Sequence, residues 1–408
     1  MTNNNVIVIG GGPAGIMAAL TAAKSKKRVI LIEKNNEIGK KLAITGGGRC
    51  NVTNTASPED MIKKTVTNGK FLYSALNTFT SSDLMNLIKD KGVPLKVEAG
   101  GKVFPVSDRS RDIIHLWEEE LKLHKVEAWY RNTVSKIIVE NGEVVGIELE
   151  KGNKLSAGKV IIATGGLSYP ATGSTGDGYR LAESVGHKII PPKPSLVPLA
   201  ISEDWIKNLM GISLEHVRIT ATPNKKKIIS EGPMIFTHFG LSGPTILEMS
   251  SYLNQYLIEK SVKLTLDLIP DLSEESVERI FLNLEHNGNK TIRSILTKYL
   301  PKNLISKLLE ILEIDGEIIL NQLTKKARSK LLSALKRTEL TASGLRSIKE
   351  AIITSGGVSV KEINPKTMES KKIKGLYFAG EVIDVDALTG GYNLQIAFST
   401  GYLAGSNL

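Results

Sequence analysis

The sequence predicts an α/β protein in which one dinucleotide-binding domain is assembled from both ends of the chain, with a β-rich domain and a small helical domain nested inside it. Three observations carry this. A strand–glycine turn–helix–strand unit opens the chain, glycine-rich strand ends return near its carboxyl terminus, and the hydrophobic period changes in the middle. The opening unit has an apolar strand at Val6–Ile9, the turn Gly10-Gly11-Gly12-Pro13-Ala14-Gly15, and a second strand at Val29–Ile32 that ends in Glu33. Gly10 permits the tight turn, Gly12 lets backbone approach a pyrophosphate, and Gly15 lets helix and strand pack closely. The free N–H groups of the helix start, from Ala14 onward after Pro13, would then face the phosphates. Glu33, 23 residues beyond Gly10, is placed to accept hydrogen bonds from a ribose diol, and its charge excludes the 2′-phosphate of NADP.

Composition narrows the class. The run Val6 to Ala23 is uncharged and long enough to suggest a membrane span, but three glycines followed by proline would break such a helix. No basic region precedes it and no small-residue cleavage site follows, so a soluble, cytoplasmic protein is expected. A chain of 408 residues exceeds one hydrophobic core. Its single cysteine, Cys50, excludes a disulfide framework or a CxxC pair and fits a reducing compartment, which makes the Asn51-Val52-Thr53 sequon incidental. His115, His124, His187, His216, His238 and His286 lie far apart, and no metal site is expected. The net charge of +11 comes from scattered short runs such as Lys225–Lys227, Lys325–Lys326 and Lys371–Lys372. With no recognisable RNA or DNA module beside them, these read as solvated surface, and no specific nucleic-acid partner is expected.

The elements follow in order. After Glu33 and Lys34 comes a second glycine cluster with basic flanks, Lys41 through Thr45-Gly46-Gly47-Gly48-Arg49-Cys50-Asn51. Helical patterning covers about Ser82–Lys91 and Arg109–Leu123, with a hairpin-like stretch between them at Leu95–Phe104 that turns at Gly100-Gly101. Alternating strands follow at Val126–Trp129, Val134–Val139 and Val144–Leu149, the last two joined by Asn141-Gly142. An apolar strand, Val160–Ala163, then runs into Thr164-Gly165-Gly166. A Rossmann half, a β-meander and this strand end together resemble FAD-binding domains of the glutathione-reductase type. The resemblance implies that the Ala163–Gly166 strand end passes the cofactor and that backbone near Val134 meets the adenine.

The turn Gly173–Gly178, containing Asp177, leads into a helix and looks like the matching segment of fumarate-reductase and aspartate-oxidase flavoproteins. Near the carboxyl terminus, Gly375–Gly380 ends a strand before Glu381, and Gly390-Gly391-Tyr392-Asn393-Leu394 opens a final helix. In FAD enzymes of this class an acidic residue after that glycine binds the ribityl chain. Glu381 stands where many relatives carry aspartate. The final helix aims its N–H groups at the pyrimidine end of the flavin. TGGGRCNVTN at 45–54, ATGGLSYPATGSTGDG at 163–178, FTHFGLSGP at 236–244, SGGVSVKEINPKTMESK at 355–371 and GLYFAGEVIDVDALTGGYNLQIAFSTG at 375–401 complete the resemblance. Together they resemble the three-domain bacterial flavoprotein family that includes aminoacetone oxidase and the reductases proposed for bile-acid dehydroxylation.

Between these motifs, Pro191-Pro-Lys-Pro194 and Pro198 read as a stiff linker, and runs such as Val217–Ala221 and Val262–Leu266 read as strands. From Ser273, a plausible N-cap, to Lys336 the period is helical, with Leu304, Ile305, Leu308, Leu309 and Leu312 on one face. The expected domains are residues 1–192 with 350–408 for FAD, 193–270 with 338–349 for the β-rich part, and 271–337 for the helical part, a cover or packing surface.

The expected activity is FAD-dependent oxidoreduction with a small organic substrate, which would enter between the FAD domain and the β-rich insert. Flavin supplies the redox chemistry while the protein orients it. Non-covalent FAD is expected, because no histidine precedes His115. Direct reduction of the flavin by an amine or amino-ketone is favoured, since no second strand–GxGxxG–helix unit stands ready for NAD(P)H. An NAD(P)H-dependent reductase of an enone is the alternative, and a non-catalytic FAD- or nucleic-acid-binding protein is the rival of another class. His238 is a candidate acid or base or a structural group. Arg49 is a candidate for a pyrophosphate or a substrate carboxylate, Tyr392 for shaping the pocket or packing, and Cys50 for a buried small residue or a thiolate.

Overall fold

A computed structural model describes residues 5–408. The chain divides into two compact units, Met1–Pro194 with Ala351–Leu408, and Ser195–Glu350. The first unit is organised by a five-stranded sheet in the order Leu376–Phe378, Lys159–Ile162, Asn5–Ile9, Arg28–Glu33, Glu127–Tyr130. Every neighbouring pair in it is parallel. Its Val/Ile runs are buried, as strands covered on both faces require. Ile7 stands opposite Val160 on one side and Ile30 on the other. The chain order therefore reverses at the first strand, and the carboxyl ends of the strands around Gly10 border the crevice where such sheets bind ligands. Helices Pro13–Lys24 and Tyr392–Ser406 pack on one another so closely that a Cβ on Gly401 or Gly405 would stand 2.2 or 2.5 Å from the carbonyl oxygens of Ala14 and Ala18. This contact joins the two ends of the chain.

Two expectations on connections change. The strand at Glu127–Tyr130 does not belong to the meander. It is the parallel edge of the main sheet, paired with Arg28–Glu33, and Glu127 bonds to Arg28 across the pair at 2.7 Å. The antiparallel sheet is instead Val134–Glu140, Glu143–Leu149 and Lys154–Ser156, with Asn141 and Gly142 at φ 49° and 78° making the tight turn. The proline-rich linker is itself a strand, Ile189–Ser195, in a two-stranded sheet with Ile353–Val358. Proline offers no N–H, so such a segment is tolerated only at an edge, and a two-stranded sheet consists of edges.

In the second unit, strands Leu199–Ile201, Ser213–Ala221, Ile228–Thr237, Gly240–Ser242, Val262–Asp267 and Thr338–Leu345 form a closed barrel. The helices from Glu274 to Lys336 are inserted between its last two strands. Ser273 caps the first of them, its Oγ accepting from the Ser276 N–H. The β-rich and helical parts, expected as separate domains, fall in this one unit because they share a core. Leu266, Leu268, Val277, Phe281, Leu331 and Leu335 belong to one buried cluster. The seam is also tied by Lys336, whose buried ammonium lies 2.7 Å from Asp267 and 3.0 Å from the Ile269 carbonyl.

Candidate functional site

The first strand ends at Gly10, φ 107°, where a Cβ would stand 2.5 Å from the Ala163 carbonyl oxygen. Gly12 is the N-cap of the first helix at φ −82° and ψ 179°, with no side-chain cap and no acidic residue in the first turn. Its early N–H groups are therefore left for a ligand. A Cβ on Gly12 would meet nothing within 4 Å, whereas one on Gly15 would stand 1.8 Å from the Gly10 carbonyl oxygen. The three glycines thus do different work: one turns, one leaves space, and one permits contact. The Gly39 N–H donates to the Gly11 carbonyl at 2.9 Å, which brings the second glycine cluster beside the first turn. In that cluster Gly46, Gly47 and Gly48 have φ of 58°, 69° and 88°, and added Cβ atoms at Gly47 and Gly48 would again meet nothing within 4 Å.

Glu33 is buried at the end of the second strand, and its carboxylate already serves its own chain. Oε2 accepts from the Gly11 N–H and Oε1 from the Asn35 N–H and Nδ2, each at 2.7 Å. A carboxylate has about four acceptor positions, so one remains for a ribose hydroxyl. Arg131 and Asn132 donate backbone N–H groups to the Asn35 and Glu33 carbonyls, which sets Val134 beside this strand end. Lys34 pairs with Asp177 at 2.6 Å, and Arg180 joins from the far side. Burial alone would raise the Asp177 carboxyl, but Lys34 and Arg180 hold it below the usual range.

Three expected cofactor residues are occupied otherwise. Arg49 pairs with Asp108 at 2.8 Å and with Glu98, and its guanidinium lies 4.1 Å over the Phe104 ring. Two carboxylates neutralise it, and both are held below their ordinary range by it and by Lys96. This is a poor arrangement for binding a pyrophosphate. Glu381, which the resemblance assigns to the ribityl chain, accepts from Lys41 Nζ at 2.8 Å, the Thr354 N–H at 2.8 Å and Ser168 Oγ at 3.1 Å. The methylene that glutamate has beyond aspartate carries its carboxylate to Lys41. Asn393 brackets the strand before it, accepting from the Ala387 N–H at 2.9 Å and donating to the Ala387 carbonyl at 2.8 Å. Tyr392 is buried, its ring folded over Gly390, while Leu394 is half-buried. Gly391, at φ 96°, is the N-cap of the final helix, and a Cβ there would stand 2.2 Å from the Thr53 carbonyl oxygen.

Cys50 is fully buried at φ 61°, and burial pushes its thiol up to about 12. It is a protonated core group rather than a thiolate. Among the described residues two buried polar atoms beside the glycine turns have no partner: Asn51 Oδ1 and Thr164 Oγ1. Orphaned polar atoms at such a place are uncommon and call for a ligand or water. The uncapped helix start and the open space at Gly12, Gly47 and Gly48 fit the FAD that the resemblance implies. Gly165, at φ 71°, continues the strand end beyond Thr164, and Gly166 accepts from the Gly176 N–H at 3.2 Å.

Sequence reading missed Asp384 and Asp386, two buried carboxylates that precede the Gly390-Gly391 turn. Asn68 donates to Asp384 at 2.9 Å and Ser355 to Asp386 at 3.0 Å. Burial raises the Asp384 carboxyl, Asp386 adds to this, and Asn68 offsets part of it. Acids alternating with Ile383, Val385 and Ala387 were the available signal. His238 lies in the second unit, exposed in the turn between two barrel strands, with its ring 4.9 Å from Phe239. Arg346 stacks 4.4 Å over that same Phe239 ring.

Residues 4–407 match the family described as HI0933-like protein Rossmann domain. A ribosomal RNA dihydrouridine synthase of Haemophilus influenzae is 34% identical over 377 residues, covering 91% of this chain and 90% of its own. The protein of the same name in Escherichia coli is 31% identical over 383 residues, covering 93% and 91%. A 3-dehydro-bile acid delta(4,6)-reductase of Clostridium scindens is 33% identical over 379 residues, covering 92% and 91%. Among solved structures, the 3-ketosteroid-delta4-(5alpha)-dehydrogenase of Rhodococcus jostii RHA1 superposes with a TM-score of 0.55 at 17% identity, covering 100% of this chain and 97% of that one. An open flavocytochrome c3 fumarate reductase gives 0.53 at 16%, covering 100% and 78%. These two likenesses concern the fold. No described helix is long and apolar enough to cross a membrane.

Proposed function

We propose a reaction from one premise: the chain belongs to the HI0933-like family and is an FAD-dependent oxidoreductase. On our reading it is a reductase that saturates a carbon–carbon double bond conjugated with a carbonyl, and its substrate is a uracil base in ribosomal RNA. One observation carries this. Three relatives, each matched over nine-tenths of its length, are named for saturating such a bond, in a uridine twice and in a 3-dehydro-bile acid once. The net charge of +11, read from the sequence as plain surface, favours the polyanionic substrate of the two.

Bound FAD supplies the hydride. The chain's part is positioning. The bare start of the first helix holds the pyrophosphate, and Glu33 takes a ribose hydroxyl with its remaining acceptor position. Lys41 and Glu381 neutralise one another and hold the strand ends together beneath it. Cys50, kept protonated by burial, adds no competing nucleophile.

Oxidation of an amine or amino-ketone is the second reading, favoured by one feature: the chain builds a single parallel dinucleotide-binding sheet, and its other unit is a barrel. One anaerobic experiment separates the two. NADH or NADPH should bleach the flavin, and unmodified ribosomal RNA should restore its colour while nuclease digests gain dihydrouridine. Bleaching by an amine or amino-ketone alone, with no reoxidation by RNA, would overturn the reductase reading.

A further inference from the structure

Resting on the reading that the substrate base lies in ribosomal RNA, we propose that the exposed face of the helix Lys325–Lys336 is the surface that takes the RNA backbone phosphates. The helix reads KKARSKLLSALK and carries no acidic residue. Leu331 and Leu335 are buried on its inner side, and Lys336 turns inward to Asp267. Lys325, Lys326, Ser329 and Lys330 point outward and are exposed. Among the described residues Lys325 and Lys326 have no carboxylate partner, and Lys330 makes one contact, 3.4 Å to the Leu312 carbonyl.

Other surface helices in the chain are built differently. Lys63 pairs with Asp60, Lys122 with Glu119 and Lys307 with Glu310, each three residues apart along its helix. On Lys325–Lys336 the exposed Lys325 and Lys326 have no carboxylate partner among the described residues, and both stand in the first turn, where the helix dipole is positive and cations are disfavoured. The N-cap does not relieve this, since Thr324 Oγ1 accepts from the Ala327 N–H. The chain therefore keeps a repulsive cluster that an external anion would relieve. A second segment adds to it. The Leu320 N–H donates to the Lys290 carbonyl at 3.0 Å and the Asn321 N–H to the Gly288 carbonyl at 3.2 Å, so Lys290 is carried beside the segment that enters the helix.

The chemistry of this face selects its partner. Lys326 and Lys330 are about one turn apart, roughly 6 Å along the axis, and Ser329 lies between them with a hydroxyl donor. A lipid surface would require exposed large apolar side chains at the edge of such a face. Leu331 and Leu335 are turned into the core instead, and Leu332 packs partly buried against it. Lysines with an interleaved hydroxyl match a phosphate backbone.

The test uses full-length, FAD-loaded protein and its Lys325→Glu/Lys326→Glu/Lys330→Glu variant. Binding to unmodified ribosomal RNA transcripts is followed by fluorescence anisotropy across a salt series. The variant should bind more weakly at low salt, and the slope of log K against log salt should flatten by about 2–3, the share of three phosphate contacts. FAD content and NAD(P)H-driven reduction of a small free enone should be unchanged. Unchanged RNA affinity and slope would overturn the surface assignment. So would a variant that loses binding to phosphatidylserine vesicles while keeping RNA binding. If the wild type binds RNA with the expected slope and the variant does not, yet no uracil is reduced, the substrate reading fails while the surface stands.

Discussion

Replacing Gly12 by valine should separate cofactor binding from folding, because the glycines of the first turn differ in what surrounds them. Gly12 sits at φ −82° and ψ 179°, open to any residue, and its Cβ would meet nothing within 4 Å. Apoprotein stability should therefore change by no more than about 0.5 kcal/mol. Gly15 is the control. Its Cβ would stand 1.8 Å from the Gly10 oxygen, against a comfortable carbon–oxygen separation of roughly 3.3 Å, so helix and turn must move apart. A loss of more than about 4 kcal/mol is expected there, a large part of a domain's whole stability. FAD at a hundredfold excess over its Kd stabilises by about 2.7 kcal/mol, which for a unit of this size raises Tm by roughly 5–10 °C. Thermal unfolding of deflavinated protein, with and without added FAD, reads all three quantities. Gly12→Val should unfold where the wild-type apoprotein does and show no shift with FAD, while Gly15→Val should be unfolded or far less stable. Stoichiometric FAD on Gly12→Val would refute the account, as would an apoprotein as damaged as Gly15→Val.

Glu33→Gln loses the charge that accepts from Gly11 and Asn35, and FAD should bind about 1–3 kcal/mol more weakly, a loss that equilibrium flavin titration measures. Cys50 should resist iodoacetamide in the native protein at mildly alkaline pH and react fully in denaturant, since burial holds its thiol near 12; native labelling read by intact-mass analysis would contradict this. Asp384 has its carboxyl raised by burial, so the stability it contributes is complete below the unfolded pKa and is lost as pH rises through the folded one. Asp384→Asn should therefore gain Tm over wild type as pH rises from the unfolded carboxyl value, about 4, through the raised folded one, and a difference independent of pH would show that the carboxylate is not the cause. Denatured protein should release unmodified FAD into the supernatant, and flavin that stays with the precipitate would refute non-covalent binding.

The turn at Gly10–Gly15, the apolar strands around it and the glycine-ended strand before Glu381 were all legible in the sequence. Each is a local device: backbone torsion at Gly10, contact at Gly15 and alternation or apolar runs in the strands depend on residues a few positions apart. Partnership was not legible. Lys41 and Glu381 are 340 residues apart, and nothing near either one announces that they meet. Arg49 was a candidate for a pyrophosphate or a substrate carboxylate, and Glu98 and Asp108 reach it only once the segment Leu95–Pro105 folds back as a hairpin and carries the following turn with it. The proline run read as a linker because proline weakens an isolated strand, and only pairing with Ile353–Val358 makes it one. The helical stretch was recognisable by its period, yet its union with the barrel was decided by Leu268, Phe281 and Leu335 sharing one core. Hydrophobic period determines that a face is buried. Which surface buries it, and which distant charge answers a given charge, is decided only when the strand ends and helices meet in three dimensions.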